Sequence, residues 1–328
     1  METKVVTSIN REVSRIGLGT WAIGGTMWGG TDETQSIDTI LKALDIGINL
    51  IDTAPAYGFG LSEEIVGKAV NEYGNRDNVI ISTKAGLEWD DDGIHRNSSR
   101  SRITKEIEDS LKRLNMDYVD IYFIHWPDSS VPFEETAEAM NQLFKQGSIR
   151  AIGVSNFTPK QMDEFRSFAP VQITQPPYNI FEREIEDDVI PYCKNNKVAL
   201  MTYGVLCRGL LTVKMHEEYE FKGDDLRKID PKFKNPAFKQ YLNAVNELDR
   251  FAQENYGKRV IHLAARWVLD KGIDIALWGA RKPEQLDAIA GIDGWKLDEA
   301  ALAEVQHIVR ENLNSQSGPE FMQPPQNK

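Results

Sequence analysis

Apolar residues in this chain recur in two alternating rhythms. Short, almost wholly apolar runs of strand length stand at 15–21, 49–53, 78–83, 118–125, 149–155, 171–175, 198–203 and 275–279. Each is followed by polar, glycine or proline residues, as strands buried on both faces should be. Between them the spacing changes to that of one-sided helices. Ile37, Ile40, Leu41 and Leu44 share a face over Thr34 to Leu44, and Ile107, Leu111 and Leu114 do so over Glu106 to Leu114. Thr158-Pro159-Lys160-Gln161 reads as a capping box with proline at the first helical position. Regular strand–helix alternation without a break in composition predicts one domain over residues 1–328, a parallel (β/α)8 TIM barrel. An open doubly wound sheet is the structural alternative. The pattern around Asn10-Arg11-Glu12 predicts an N-terminal β-hairpin.

Three stretches exceed a minimal barrel. Residues 85–103 and 207–236 are long and polar, and follow the third and seventh strands, on the rim where such barrels carry their sites. Residues 314–328, rich in Gln, Ser and Pro, predict a flexible tail. Lys and Arg number 38 against 50 Asp and Glu, and the resulting net charge of -12 argues against a nucleic-acid partner. Two cysteines, Cys193 and Cys207, without a CxxC motif fit a reducing compartment. The first eight residues lack the apolar core of a signal peptide, and no apolar run reaches the roughly 18 residues of a membrane span. A cytoplasmic protein is expected. The five histidines, His95, His125, His216, His262 and His307, show no metal-ligand spacing, so no metal site is expected.

Four chemically capable side chains stand at or just beyond strand ends: Asp52, Tyr57, Lys84 and His125. On a parallel barrel those ends share one rim. A phenol with a pKa of about 10 is too weak an acid for work near neutrality, and a nearby ammonium such as Lys84 lowers it. Asp52 could supply the counter-charge that a buried lysine needs. His125 could donate a hydrogen bond to a substrate oxygen. Together the four could deliver a proton to a developing alkoxide. Any one of them taken singly is more often structural. Their joint placement carries the functional reading.

The stretch Asp52-Thr53-Ala54-Pro55-Ala56-Tyr57-Gly58-Phe59-Gly60-Leu61-Ser62-Glu63 resembles the D-T-A-x-x-Y-G-x-G-x-S-E signature of the aldo-keto reductases. Ser82-Thr83-Lys84 and Phe123-Ile124-His125-Trp126 are similar to the family's lysine- and histidine-bearing strand ends. Ile152-Gly153-Val154-Ser155-Asn156-Phe157 and Gln175-Pro176-Pro177-Tyr178-Asn179 resemble its fifth and sixth strand motifs. The matches run in order from about residue 14 to 312. The most similar branch is bacterial and includes stress-protein-type reductases and glycerol or glyceraldehyde dehydrogenases. The resemblance implies a carbonyl reductase using NADPH, with NADH also possible. It implies Tyr57 as general acid, Lys84 and Asp52 as its tuning pair and His125 as the carbonyl's partner. It further implies that Ser155, Asn156 and Gln175 grip the nicotinamide amide and that Tyr203 stacks on its ring, with Thr20, Trp21 and Asp52 also lining the cofactor. Tyr203-Gly204-Val205-Leu206-Cys207-Arg208-Gly209 is similar to the family's pyrophosphate loop, where Gly204, Leu206 and Gly209 shape the backbone and Arg208 pairs with phosphate. Gly279, Arg281 and Gln285, near a helix start at Pro283, correspond to the adenosine 2′-phosphate site. Ile289 departs from the usual Asn that contacts adenine.

Trp21, Trp28, Trp89, His125 and Trp126 are the candidate substrate contacts, an aromatic wall suited to a small aldehyde, ketone or polyol. Two other classes stay open at this point. One is a non-catalytic NADPH-binding partner subunit of the potassium-channel β type, because fold does not fix function. The other is a barrel glycosidase using Asp52 and Asp120, although the strand pattern puts Asp120 mid-strand, away from the rim. Oligomeric state is not encoded in any of these patterns.

Overall fold

The computed structural model describes residues 1–91 and 93–326. Of the segments singled out above, only Asp92 and the last two residues of the tail lie outside these. The chain opens with an antiparallel hairpin of β1 (Thr3–Val6) and β2 (Arg11–Ser14). Among the described residues, eight parallel strands then close a barrel. They are β3 (Ile16–Gly19), β4 (Leu50–Asp52), β5 (Ile80–Ala85), β8 (Ile121–Ile124), β9 (Ile152–Ser155), β10 (Ile173–Gln175), β11 (Ala199–Thr202) and β12 (Ile275–Gly279). β12 pairs back onto β3. A second hairpin, β6 (Leu87–Asp90) with β7 (Gly93–Arg96), rises from the end of β5. The helices between strands are α1 (Glu33–Asp45), α2 (Leu61–Tyr73), α3 (Arg100–Leu114), α4 (Phe133–Gln146), α5 (Pro159–Arg166), α6 (Val189–Asn196), α7 (Ala237–Tyr256) and α8 (Val260–Asp270), with α9 (Glu299–Asn312) near the C-terminus.

The apolar patterns explain this closure. Strand residues facing inward, among them Leu50, Ile80, Phe123, Ile173, Met201 and Ile275, form one buried cluster inside the barrel. Residues facing outward pack against the helices in a second, larger cluster. Inside, large meets small: a Cβ on Gly153 would lie 2.4 Å from the Phe123 ring. That ring therefore fills space that only glycine leaves, and burying it is worth roughly 1.5–3 kcal/mol. Val6 and Val13 of the first hairpin join the interior cluster, so β1 and β2 plug the bottom of the barrel. Among the described residues, no helix is long and apolar enough to cross a membrane.

Each of the eight strand-like runs coincides with a barrel strand, the third strand extending two residues past its run to Ala85, and the capping box at Thr158 forms as expected, with Gln161 bonding back to the Thr158 amide. The differences are local. The first strand stops at Gly19 rather than Trp21, and Trp21–Gly24 turn as a short 3-10 segment. Gly19 is where its neighbours end too, pairing with Gly279 of β12 and Asp52 of β4, and the turn that follows packs closely, for a Cβ on Gly24 would lie 2.5 Å from the Tyr57 backbone. The fourth strand begins at Ile121 rather than at 118. Asp120 there turns its carboxylate to the Ile81 amide (2.9 Å), Arg76 (2.8 Å) and Arg11 (3.2 Å). The Pro283 helix is a 3-10 run over Pro283–Gly291. Residues 85–103 hold the β6–β7 hairpin, which the reading of that stretch as a polar loop did not include, although Leu87-Glu88-Trp89-Asp90 alternates.

Asp120 thus stands at the foot of β8, at the opposite end of the barrel from Asp52. Two arginines hold it, which gives it a structural part and removes the second carboxylate that a glycosidase requires. Asp120→Ala should strand Arg76 and the Ile81 amide. The expected loss of unfolding free energy is about 3 kcal/mol, read from urea midpoints, with the near-ultraviolet circular dichroism of the folded protein unchanged.

Candidate active site

Barrel register brings the first two groups together. Asp52 ends β4 and pairs with Ser82 on β5, and Lys84 lies two residues further on the same strand face. Lys84 Nζ donates to Asp52 Oδ2 at 2.8 Å and to the Thr53 carbonyl at 2.9 Å. Asp52 Oδ1 accepts from Ser82 Oγ at 2.7 Å and from Gln175 Nε2 at 2.9 Å. Both charged side chains are almost wholly buried, so each is held by the other and by these hydrogen bonds.

Tyr57 sits above the pair, with Lys84 Nζ 4.9 Å from its ring centroid. Trp21 stacks on the same ring at 6.0 Å, and His125 meets it edge-on at 5.8 Å. Burial, and then the Asp52 carboxylate, push the phenol well above its ordinary range. The lowering expected from Lys84 is therefore reversed. The ammonium lies over the ring face, already paired with Asp52, and burial outweighs it. Burial also lowers Lys84, against the raising effect of Asp52. Burial, seconded by Lys84, holds His125 well below 6.5, as a neutral imidazole. The result is a protonated phenol beside a neutral imidazole, both able to donate.

A continuous set of hydrogen bonds runs across the barrel mouth from here. Tyr203 Oη donates to Asn156 Oδ1 (2.9 Å), and Asn156 Nδ2 donates to the His125 carbonyl and to Ser155 Oγ, both at 3.0 Å. Ser155 Oγ donates to the Gln175 carbonyl (2.6 Å), and Gln175 Nε2 reaches Asp52. Ser155, Asn156 and Gln175 are thus assembled, but partly engaged with one another and with Asp52.

Beside them runs a cleft of about 310 Å³. Its walls include Thr20, Trp21, Trp28, Asp52, Tyr57 and Tyr203, then Gly204, Leu206, Arg208 and Gly209, and finally Gly279, Arg281 and Gln285. Lys84, His125, Ser155, Asn156 and Gln175 lie at its floor and margin and do not line it. Trp89 and Trp126 stand further out. Trp89 packs on Phe59 at 5.5 Å, and Trp126 faces the Arg96 guanidinium at 5.4 Å. Two expected cofactor contacts are otherwise employed. Arg208 is buried, and its guanidinium binds Glu182 and, at 2.6 Å, Asp230. A phosphate would meet the backbone of its loop rather than its side chain. The Gln285 side-chain oxygen accepts from the amides of Arg281 (2.9 Å) and Lys282 (3.1 Å), so that carbonyl fixes the turn.

The cleft's charge suits an anionic dinucleotide. Lys214 and Arg281 line it, and among the described residues neither is in an ion pair. The indole Nε1 of Trp28, on the cleft wall, is a buried donor with no partner among the described residues. A strap from the long loop after β11 clasps the loop after β3. Asp224 accepts from the Met27 amide (2.7 Å) and the Gly29 amide (3.0 Å), and Arg281 donates to the Trp28 carbonyl.

These features lie within a chain whose residues 15–310 match the aldo/keto reductase family model. The chain belongs to the aldo/keto reductase family. This reductase is 60% identical over 326 residues to the aldo-keto reductase YhdN of Bacillus subtilis (strain 168), covering 99% of this chain and 98% of that one. It is 37% identical to the NADH-specific methylglyoxal reductase of Escherichia coli (strain K12), over 84% of this chain and 88% of that one. Its fold superposes on the glycerol dehydrogenase AKR11B4 from Gluconobacter oxydans with a TM-score of 0.89 and 48% identity, covering 98% and 99% of the two chains.

Sequence reasoning missed Ser82, Lys214 and Met322. Ser82 was legible, because it sits two residues before Lys84 on the inward face. Lys214 reaches the cleft from an irregular segment and Met322 from a single 3-10 turn, both too short for a periodicity that points to an inward face. Lys84→Met should strand the Asp52 carboxylate in the barrel and cost about 3–5 kcal/mol. Adding Asp52→Asn should restore most of that loss, and urea unfolding of both variants checks it.

Proposed function

We propose that this aldo/keto reductase reduces small aldehydes and ketones to alcohols with NADPH, runs in reverse on polyols, and uses Tyr57 as its proton donor. The observation that carries the reading is the protonated Tyr57 phenol beside neutral His125, over the buried Asp52–Lys84 pair and on the wall of a cleft that basic Lys214 and Arg281 also line. NADPH, when bound, supplies the hydride. Ser155, Asn156 and Gln175 would hold its carboxamide and Tyr203 its ring, while the loop from Gly204 to Gly209, with Lys214 and Arg281, would hold its phosphates. A neutral His125 N–H can donate to the carbonyl oxygen and polarise it. Tyr57 then gives its proton to the oxygen as negative charge develops there. In polyol oxidation the same oxygen takes the proton back. Lys84, fixed by Asp52, keeps a positive charge against the phenol ring and stabilises it whenever the proton is away.

Arg281 favours NADPH over NADH, since it lines the cleft as a cation that interacts electrostatically with Asp225 rather than through a direct ion pair among the described residues. The glycerol dehydrogenase and methylglyoxal reductase relatives support small, hydroxylated or dicarbonyl substrates. A complete proton-donating set favours catalysis over a purely binding role. The absence of a membrane-length helix among the described residues is compatible with the cytoplasm.

Tyr57→Phe should lower kcat for glyceraldehyde by about 10²–10⁴-fold while NADPH binding, followed by fluorescence, is retained. Near-wild-type turnover in that variant would remove Tyr57 from its assigned part. With the phenol raised and the imidazole lowered, neither titrates near neutrality, so kcat for reduction should be flat between about pH 6 and 8. Parallel assays with NADPH and NADH decide the cofactor.

A further inference from the structure

The β6–β7 hairpin spans the rim between the two loops that carry Tyr57 and His125. On one side Trp89 packs on Phe59, two residues beyond Tyr57, at 5.5 Å. On the other, Arg96 lies 5.4 Å from the ring of Trp126 and donates to the Pro127 carbonyl. The hairpin thus stands beside the rim that carries Tyr57 and His125.

Two contacts at the hairpin's base end on Glu106 of α3, while β7 is tied separately to the C-terminal segment, where the Arg96 amide and Nε donate to the carbonyls of Pro325 (3.2 Å) and Pro324 (3.0 Å). The base turns at Gly86, whose φ of +91° and whose missing Cβ, which would lie 2.7 Å from Ser98 Oγ, require glycine. The Gly86 amide donates to Glu106 Oε2 at 2.9 Å. Arg102 Nη2 donates to Glu106 Oε1 at 3.0 Å and to the Leu87 carbonyl at 2.8 Å. The same guanidinium lies 5.5 Å from the Trp89 ring and 3.6 Å from Glu88. Glu106 is buried, and none of these groups touches the cleft, so the proton-transfer chemistry leaves it without a part.

We propose that Glu106 is a positioning residue for the carbonyl substrate: through Gly86 and Arg102 it holds the hairpin that presents Trp89 over the rim. The inference rests on the carbonyl-reductase reading above. The charged and titratable groups facing the carboxylate are few. Arg102 comes from its own helix. Glu63 comes from α2, tied to Arg113 at 2.6 Å and to Thr83. Tyr122 comes from β8, its hydroxyl without a partner among the described residues. Glu88 stands on the hairpin, 3.6 Å from His95. Burial dominates this balance and, with Glu63 adding to it against Arg102 and the Gly86 amide, raises the carboxyl to about 7. The charged form grips Arg102 more strongly than the neutral one, so the hairpin is held best above that value and loosens as pH falls through it. Stability runs the other way. The folded value exceeds the unfolded 4.5, so the contribution of Glu106 is fully present below 4.5 and is lost as pH rises through about 7. Removing the charge should therefore leave the melting temperature at about pH 8 unchanged or higher.

The test compares wild type with Glu106→Gln at about pH 6 and about pH 8, using glyceraldehyde as substrate and deuterium exchange of peptides covering residues 87–98 at matched pH. In wild type KM should fall by about fivefold between the lower and higher pH, a modest effect for coupled neighbours, with kcat unchanged. Glu106→Gln should keep the low-pH KM at both values. Its hairpin should exchange faster than wild type at the higher pH and equally at the lower. Trp89→Ala should raise KM similarly and make a further Glu106→Gln change silent. A Glu106→Gln enzyme whose KM and exchange match wild type at the higher pH overturns the proposal. So does one that loses melting temperature and kcat with KM unmoved, which is the signature of a merely structural group. If wild type reduces no aldehyde with either cofactor, the activity reading fails on its own. The exchange comparison then still supports or overturns the hold on the hairpin.

Discussion

A carboxylate and an ammonium buried 2.8 Å apart inside a barrel constrain almost everything around them. Neither ion is tolerable there alone, so Asp52 and Lys84 must stay paired and their remaining lone pairs and protons must be met. Meeting them ties several strand ends together. Ser82 and Lys84 come from β5, Gln175 comes from β10, and Thr20, just past β3, donates to the Asp52 main-chain carbonyl. A shift of any one strand by a residue would turn its partner to the other face of the sheet. The register of the barrel and the geometry of the site are thus one requirement.

From that pair the electrostatics of the site follow. The positive charge against the Tyr57 ring is neutralised by Asp52, so burial governs the phenol, and it stays protonated. Burial, seconded by the same ammonium, keeps His125 neutral. Two donors of opposite native character are brought to the same state by burial, with the ion pair adding to it. The amide network through Ser155, Asn156 and Tyr203 extends that order across the rim, so groups from five strand ends are fixed relative to one another before any ligand arrives.

The barrel and this centre were legible because they obey short-range rules. Strand-length apolar runs mark the eight staves, and the residue just after each run marks the rim, so Asp52, Lys84 and His125 could be placed from order alone. Ser155 and Gln175 came instead from the resemblance to the family's fifth and sixth strand motifs. What could not be read depends on contacts between distant segments. The engagement of Arg208 with Glu182 and Asp230 joins three loops whose sequences do not announce one another. The sign of the shift on Tyr57 depends on how deeply the ring is buried, which no motif states. The second hairpin has only a short alternation, Leu87-Glu88-Trp89-Asp90, inside an otherwise polar stretch, and its Trp89–Ile94 pair finds its partner Phe59 on a distant segment.

The basic cleft has a consequence for how anions reach it. The protein as a whole carries a formal charge of -12, while Lys214 and Arg281 face inward. At physiological ionic strength charges are screened beyond about 8 Å. An approaching polyanion is therefore repelled by the whole molecule at low salt and drawn in only over the last few ångströms. Added salt weakens both forces, but it removes the long-range repulsion first. Capture of an anionic ligand by this protein should accelerate from very dilute to moderate salt before it slows, the reverse of the monotonic decline shown by surfaces of uniform positive charge.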